Sequence, residues 1–285
     1  MERVLITGAT GNVGSYVLEF LKRDNNIEVI VAISRPESAK KFSPDIKTTV
    51  LDFENPATFE TSLDQVDRIF LMRPPHISKT KTTFQPFIET AKKKGVRHIV
   101  FLSLIGVESN KIVPHYKIEQ YILSSGIPYT FLSAGFFMQN LNTTHLDDIR
   151  DLHKIILPAG NGKTSFVDTR DVAEVGALAL STGDHFNKRY NLTGNVALTY
   201  YEVAYVLSTV LGTEIIYQPV SVIRFFRHMK RQGHKTAYVM VVTVLYLVTK
   251  FGKAGSIYPD IQQLLNRLPI PFEKYTRDHV KYFKK

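Results

Sequence analysis

Short apolar runs rich in β-branched residues alternate with longer segments of helical period through the first half of the chain. That is the pattern of parallel strands covered by helices. Strands are predicted at 3–7, 28–33, 47–51, 68–72, 98–103 and 129–132. Helical spacing is predicted at 13–23, 56–63, 80–94 and 114–125, with Gly95 and Gly126 placed as C-terminal stops. Six strands with intervening helices give an α/β fold with a doubly wound parallel sheet. The alternation fades near residue 155, where Pro158-Ala159-Gly160-Asn161-Gly162 marks a turn-rich break. The expected domains are 1–155, carrying the sheet, and 156–285, a smaller and mostly helical α+β lobe, some of whose segments return to the first domain. Helices are expected in the lobe at 171–180, 200–211, 224–232, 236–250 and 259–268.

Composition narrows the chemistry. Hydrophobic residues at 44% and charged residues at 22% describe a folded chain rather than a disordered one. The absence of cysteine excludes disulfides, thiol nucleophiles and Cys-ligated metal, and no other metal site is predicted. Lys plus Arg at 36 against Asp plus Glu at 26 leaves a net charge of +10, which favours an anionic partner. The N-terminus lacks the pattern of a secretory signal. The most apolar stretch, 237–248, falls short of the about 20 residues a bilayer crossing needs. The chain is expected to be soluble and cytoplasmic.

Thr7-Gly8-Ala9-Thr10-Gly11-Asn12-Val13-Gly14 follows the first strand and opens a helix. A pyrophosphate needs backbone N–H groups at close range and the positive end of a helix, and side chains at the turn would block that approach. Gly8 is expected to permit the turn, Gly11 the phosphate contact and Gly14 the packing of helix on strand. Thr10, Asn12 and Val13 complete the loop. A Rossmann-type dinucleotide domain follows from this placement. About 20 residues on, where a carboxylate would select NAD through the ribose 2′-hydroxyl, the chain reads Ile33-Ser34-Arg35-Pro36 with no acid before Glu37. Ser34 and Arg35 suit a 2′-phosphate. NADP is the expected cofactor, with NAD the alternative. Met72 and Arg73 end the fourth strand on the same carboxyl edge; Arg73 could reach a phosphate or substrate, or be an ordinary surface arginine.

The glycine loop resembles that of the short-chain dehydrogenase/reductase superfamily, and later motifs resemble its atypical NmrA-like members, including quinone oxidoreductase-like ones. These are His115-Tyr116-Lys117-Ile118-Glu119, Ser125-Gly126-Ile127-Pro128-Tyr129-Thr130, Phe136-Phe137-Met138-Gln139-Asn140-Leu141, Phe166-Val167-Asp168-Thr169-Arg170-Asp171-Val172-Ala173 and Tyr190-Asn191-Leu192-Thr193-Gly194. The chain departs from the family at Ser133, where many members carry an Arg-Pro pair. The resemblance implies an adenine contact from Asp52 with apolar cover from Phe53, and places His115 and Lys117 near the nicotinamide, Lys117 on the ribose. Ser103, His115 and Lys117 stand where the superfamily usually places its catalytic groups.

The usual Tyr-x-x-x-Lys pair is missing from the predicted 114–125 helix. The sole match, Tyr246 and Lys250, lies in the apolar C-terminal helix. Acceptors that give a stabilised anion, such as quinones, depend less on a strong proton donor, and positioning then dominates. His115 could shuttle a proton at neutral pH. Phe136, Phe137 and Met138 could wall such an acceptor, with Asn140 as a polar anchor. The resulting expectation is an NADPH-dependent reductase of a small planar acceptor such as a quinone. A non-enzymatic NADP sensor with a protein partner is the alternative, and a nucleoside-diphosphate-sugar epimerase a weaker one. The basic cluster from Arg224 to Lys235 carries no nucleic-acid-binding signature and reads as a solvated face.

Overall fold

The computed structural model describes residues 1–284. Apolar and β-branched runs form β1 (Glu2–Ile6), β2 (Ile27–Ile33), β3 (Lys47–Val50), β4 (Arg68–Leu71), β5 (His98–Leu104) and β6 (Tyr129–Ala134), each within a residue or two of its predicted position. A seventh strand, Lys188–Leu192, pairs parallel to β6 with Arg189 opposite Phe131 and Asn191 opposite Ser133. It was not predicted as a strand because it lies at the sheet edge and opens on two cations, so no apolar run announces it. The order is 188–192, β6, β5, β4, β1, β2, β3, and all pairings are parallel. Strand order reverses at the β1–β4 boundary, and in such sheets ligands bind beyond the carboxyl edge at that point.

The helices follow the same logic. α1 (Gly14–Leu21), α2 (Phe59–Ser62), α3 (Thr80–Lys93) and α4 (Pro114–Ser125) cover the sheet, and Gly95 (φ +80°) and Gly126 (φ +69°) terminate α3 and α4 in the left-handed conformation glycine permits. Phe59, Phe84, Phe87, Phe101, Ile118 and Ile122 form the core beneath α2, α3 and α4. The helix Thr169–Ser181 packs with α1. Buried Arg68 fixes its end, donating to the carbonyls of Leu180 and Thr182 at 2.7 Å while pairing with Glu2.

Two compact units result: residues 1–134 with 169–192, and residues 135–168 with the chain from 193 onward. The boundary thus falls at 134 rather than the expected 155. The chain leaves the sheet when β6 ends at Ala134, and helix 169–181 with strand 188–192 rejoin the first unit because that strand pairs with β6. The second unit has short strand pairs, such as Lys154–Leu157 with Ile216–Pro219, set among helices Leu146–Leu152, Tyr200–Leu211, Val222–Arg231 and Thr236–Lys250. Thr199 and Glu202 form a capping box at the start of helix 200–211. Among the described residues, no helix is long and apolar enough to cross a membrane.

Candidate functional site

The glycine loop joins β1 to α1 at the strand-order reversal. Thr7 fastens its start, with Oγ1 donating to the Phe70 carbonyl at 3.0 Å and accepting from the Met72 N–H at 2.8 Å. Gly8 adopts φ +68°. A Cβ on Gly14 would lie 2.3 Å from the Gly8 carbonyl oxygen, so helix and loop meet at a distance only glycine allows. A Cβ on Gly8 would fall 2.0 Å from Met72 Cε, because that methyl group lies over the loop. Thr10 and Asn12 are exposed. Val13 is 2% exposed, so its side chain belongs to the core and only its backbone is available to a ligand.

At the end of β2, Ser34 and Arg35 are exposed, and among the described residues no side chain pairs with Arg35. The backbone turns into a short 3-10 helix, Pro36–Lys41. An unpaired guanidinium with no acid at the strand end fits a phosphate and opposes a bare 2′-hydroxyl preference. Asp52 is half-buried, and its Oδ1 accepts the Glu54 N–H at 2.9 Å. The Phe53 ring differs from expectation: it stacks on Phe84 at 4.6 Å and meets Phe87 edge-on at 5.1 Å, inside the core rather than over a ligand.

Arg73 is half-buried and turned onto its own loop. Its Nη1 donates to the carbonyls of Pro74, Pro75 and Ile77, and its Nε is buried without a partner. It clasps the loop after β4, and burial holds its pKa below the ordinary arginine value.

α4 presents His115 and Lys117 two residues apart, and so on different sides of the helix. Lys117 is exposed and unpaired among the described residues. His115 lies 6.0 Å from the Phe101 ring, and burial, helped by the Arg73 charge, lowers its pKa to about 3. The imidazole is therefore neutral at pH 7. In that form it can donate or accept a hydrogen bond.

Behind it lies a buried network absent from the sequence reading. Glu119, 1% exposed, receives Arg189 Nη2 at 2.6 Å and Nη1 at 3.0 Å, and it accepts the Ser103 hydroxyl. Arg189 also donates to Ser133 Oγ at 2.7 Å, pairs with Glu108 at 2.8 Å and sits over the Phe131 ring. Ser103 is fully buried, so its hydroxyl serves this network and has no surface to offer a cofactor. Ser133, the family departure, meets a guanidinium that arrives from the neighbouring strand. Glu119 and Arg189 together tie α4 to β5, β6 and the edge strand.

In the second unit, Phe136–Phe137 pairs parallel with Phe166–Val167, and Gln139 Nε2 donates to buried Asp168 at 2.9 Å. Both phenylalanines and Asn140 are half-buried, and Phe136 packs on the core of this unit. Met138 reaches an apolar cavity of about 160 Å³, lined also by Phe166, Val196, Leu198, Val206 and Phe272. Only Met138 of the predicted substrate group lines it; Phe166 comes from another of the family-like motifs, and Val196, Leu198, Val206 and Phe272 come from segments that carried no local signal. Tyr246 is buried, bonded to His145 Nε2, and its hydroxyl pKa is raised well above the ordinary value by burial. Tyr246 thus belongs to the core of this unit, whereas Lys250 at the end of the same helix is exposed.

Comparisons with known proteins agree with this architecture. The chain is 26% identical to an NAD(P)H azoreductase of Xenophilus azovorans over 98% of its own length and 99% of the relative's. It is 28% identical to quinone oxidoreductase 2 of Escherichia coli, covering 81% of this chain and 82% of that protein. A solved triphenylmethane reductase from Citrobacter sp., complexed with NADP(H), superposes with a TM-score of 0.85 at 25% identity, covering 98% and 99% of the two chains. The NmrA-like family profile matches residues 1–276, and with the glycine loop, α4 motif and seven-strand sheet in place, the chain belongs to the NmrA-like family.

Proposed function

We propose that this protein is an NADPH-dependent reductase of a small planar acceptor, a quinone being the representative case. The observation that carries the cofactor choice is the glycine cradle followed by an exposed, unpaired Arg35 with no acid at the end of β2. Backbone N–H groups of the loop from Gly8 to Gly14 would receive the pyrophosphate, Ser34 and Arg35 the 2′-phosphate, and Asp52 the adenine edge. Lys117 would hold the nicotinamide ribose. The bound dinucleotide supplies the hydride.

The remaining chemistry falls to this chain's side chains. His115, neutral at pH 7, donates an N–H hydrogen bond to the acceptor oxygen as negative charge grows there. A quinone oxygen becomes part of a delocalised anion, so a hydrogen bond and fixed position suffice, and the proton arrives from water. The named activities of the azoreductase, quinone oxidoreductase and triphenylmethane reductase relatives support a flat conjugated acceptor.

The chain has no tryptophan, so nicotinamide fluorescence can be followed without indole overlap. Titration should give tighter binding of NADPH than NADH, and a panel of quinones, azo compounds and triphenylmethane dyes should then discharge the bound NADPH. Tight binding with no turnover on any acceptor would instead support a nucleotide sensor.

A further inference from the structure

The chain's excess charge is concentrated far along the sequence from the glycine loop. Residues 215–259 hold seven Lys or Arg and no Asp or Glu, against a net +10 for the whole chain. Within that stretch, helix 222–231 places Arg224, Arg227 and Arg231 at i, i+3 and i+7, which is one helical face. The face is not a flat solvated surface. All three side chains line a single cavity of about 480 Å³, together with Gln218, Ser221 and His228.

The guanidiniums have no carboxylate partner there. Each is exposed, and among the described residues none takes part in an ion pair. An acid that comes near is Asp148, which is 1% exposed and already committed: both oxygens accept from His228 Nε2 at 2.9 Å, and Oδ1 also accepts from Gln232 Nε2 at 2.8 Å. Asp148 thereby holds His228 at the cavity wall without neutralising the arginines. Ser221 caps the helix by accepting the Arg224 N–H, which leaves its own hydroxyl hydrogen free to donate.

We propose that this cavity in the second unit binds a phosphate-bearing anion. Three planar forks, a hydroxyl and an amide offer more donors than one carboxylate can accept, whereas a phosphate presents three oxygens in several directions. The concave shape and volume match a small-ligand site rather than a broad protein interface. The same chemistry can come from a soluble phosphate or from a phospholipid headgroup.

The test measures binding of inorganic pyrophosphate to the full-length chain, to R224S/R227S/R231S and to R224K/R227K/R231K. Pyrophosphate held by the glycine loop is common to all three and cancels in the comparison. In parallel, each protein is sedimented with phosphatidylcholine vesicles with and without phosphatidic acid. The side chains are exposed, so both variants should melt with the wild type. The proposal expects a pyrophosphate site weakened at least about tenfold in the serine variant and measurably in the lysine variant. Without vesicle binding, that result assigns a soluble phosphate; sedimentation that needs phosphatidic acid and is lost in the serine variant assigns a headgroup. Unchanged affinity in the serine variant, or full retention in the lysine variant, would leave only a charged helix face and overturn the proposal.

Discussion

The two units hold their buried carboxylates with different partners. The first buries charge in pairs: Glu119 with Arg189, and Arg68 with Glu2. The second holds buried Asp148 with His228 and Gln232 and buried Asp168 with Gln139, sets His145 on Tyr246, and leaves Arg224, Arg227 and Arg231 exposed. A buried ion pair is geometrically demanding, since each partner is costly alone. In the first unit that demand fixes α4, the helix bearing His115 and Lys117. In the second, His145 and Tyr246 add a hydroxyl–imidazole contact to an apolar core, while Arg224, Arg227 and Arg231 stay exposed. The first unit's ion pair ties a helix to its sheet, and three arginines of the second unit face solvent.

The comparison breaks first at Glu119. Glu119→Ala strands Arg189 and should cost roughly 3–5 kcal/mol, read from denaturant unfolding. Glu119→Gln keeps a hydrogen-bonding carbonyl and should lose less. If the pair positions α4, the glutamine variant should also raise the KM for NADPH while a Tyr246→Phe variant leaves it unchanged. Equal, small stability losses in both Glu119 variants would show that the ion pair is not holding the helix.

Next in size is Gly14→Ala. Its Cβ would stand 2.3 Å from backbone, so the loop or helix must shift. Overpacking of this kind costs about 1–3 kcal/mol, and NADPH affinity should fall roughly ten- to a hundredfold. Fluorescence titration showing undiminished affinity would remove the loop from the site.

Acid sharpens the comparison because both units bury histidine. His98 and His115 in the first unit and His145 in the second are each lowered from 6.5 to about 3 by burial. His98 illustrates the cause: Thr130 donates its hydroxyl to the His185 carbonyl at 2.6 Å, so it must accept from His98 Nε2, and Nδ1 is buried without a partner. A depressed folded-state pKa on a base means that the neutral form is the one the fold accommodates. Stability is therefore complete above about pH 6.5 and falls as the pH drops toward 3. Melting temperatures across that window should decline, and His98→Asn should flatten the slope. A flat profile would place these rings in water.

The smallest effect is expected from Tyr246→Phe. Removing one hydroxyl from the second unit's core should cost about 1 kcal/mol and leave acceptor reduction intact. Lost turnover with preserved stability would return Tyr246 to the chemistry.

Legibility in the sequence followed the range of the interactions. β1 to β6, the glycine stops and the turn at Gly8 rest on local rules, and they appear where periodicity placed them. The edge strand escaped because Lys188 and Arg189 interrupt any apolar pattern. Phe53 and Arg73 stand on the right sheet edge, yet their side chains turn into the core and into the local backbone, which spacing alone does not encode. Glu119 and Arg189 are 70 residues apart, so their pairing waited on the strand order. The depression of the His115 pKa likewise depends on burial by residues such as Phe101, outside its own helix.

The central claim is that Arg35 selects a 2′-phosphorylated nicotinamide dinucleotide that the protein then oxidises. Steady-state quinone reduction by wild type and Arg35→Ser, with NADPH and NADH in turn, tests it most directly. The account predicts that the variant raises the KM for NADPH about tenfold or more, leaves the KM for NADH nearly unchanged, and alters kcat little with either. Equal effects on both nucleotides, or no acceptor-dependent oxidation by the wild type, would contradict it.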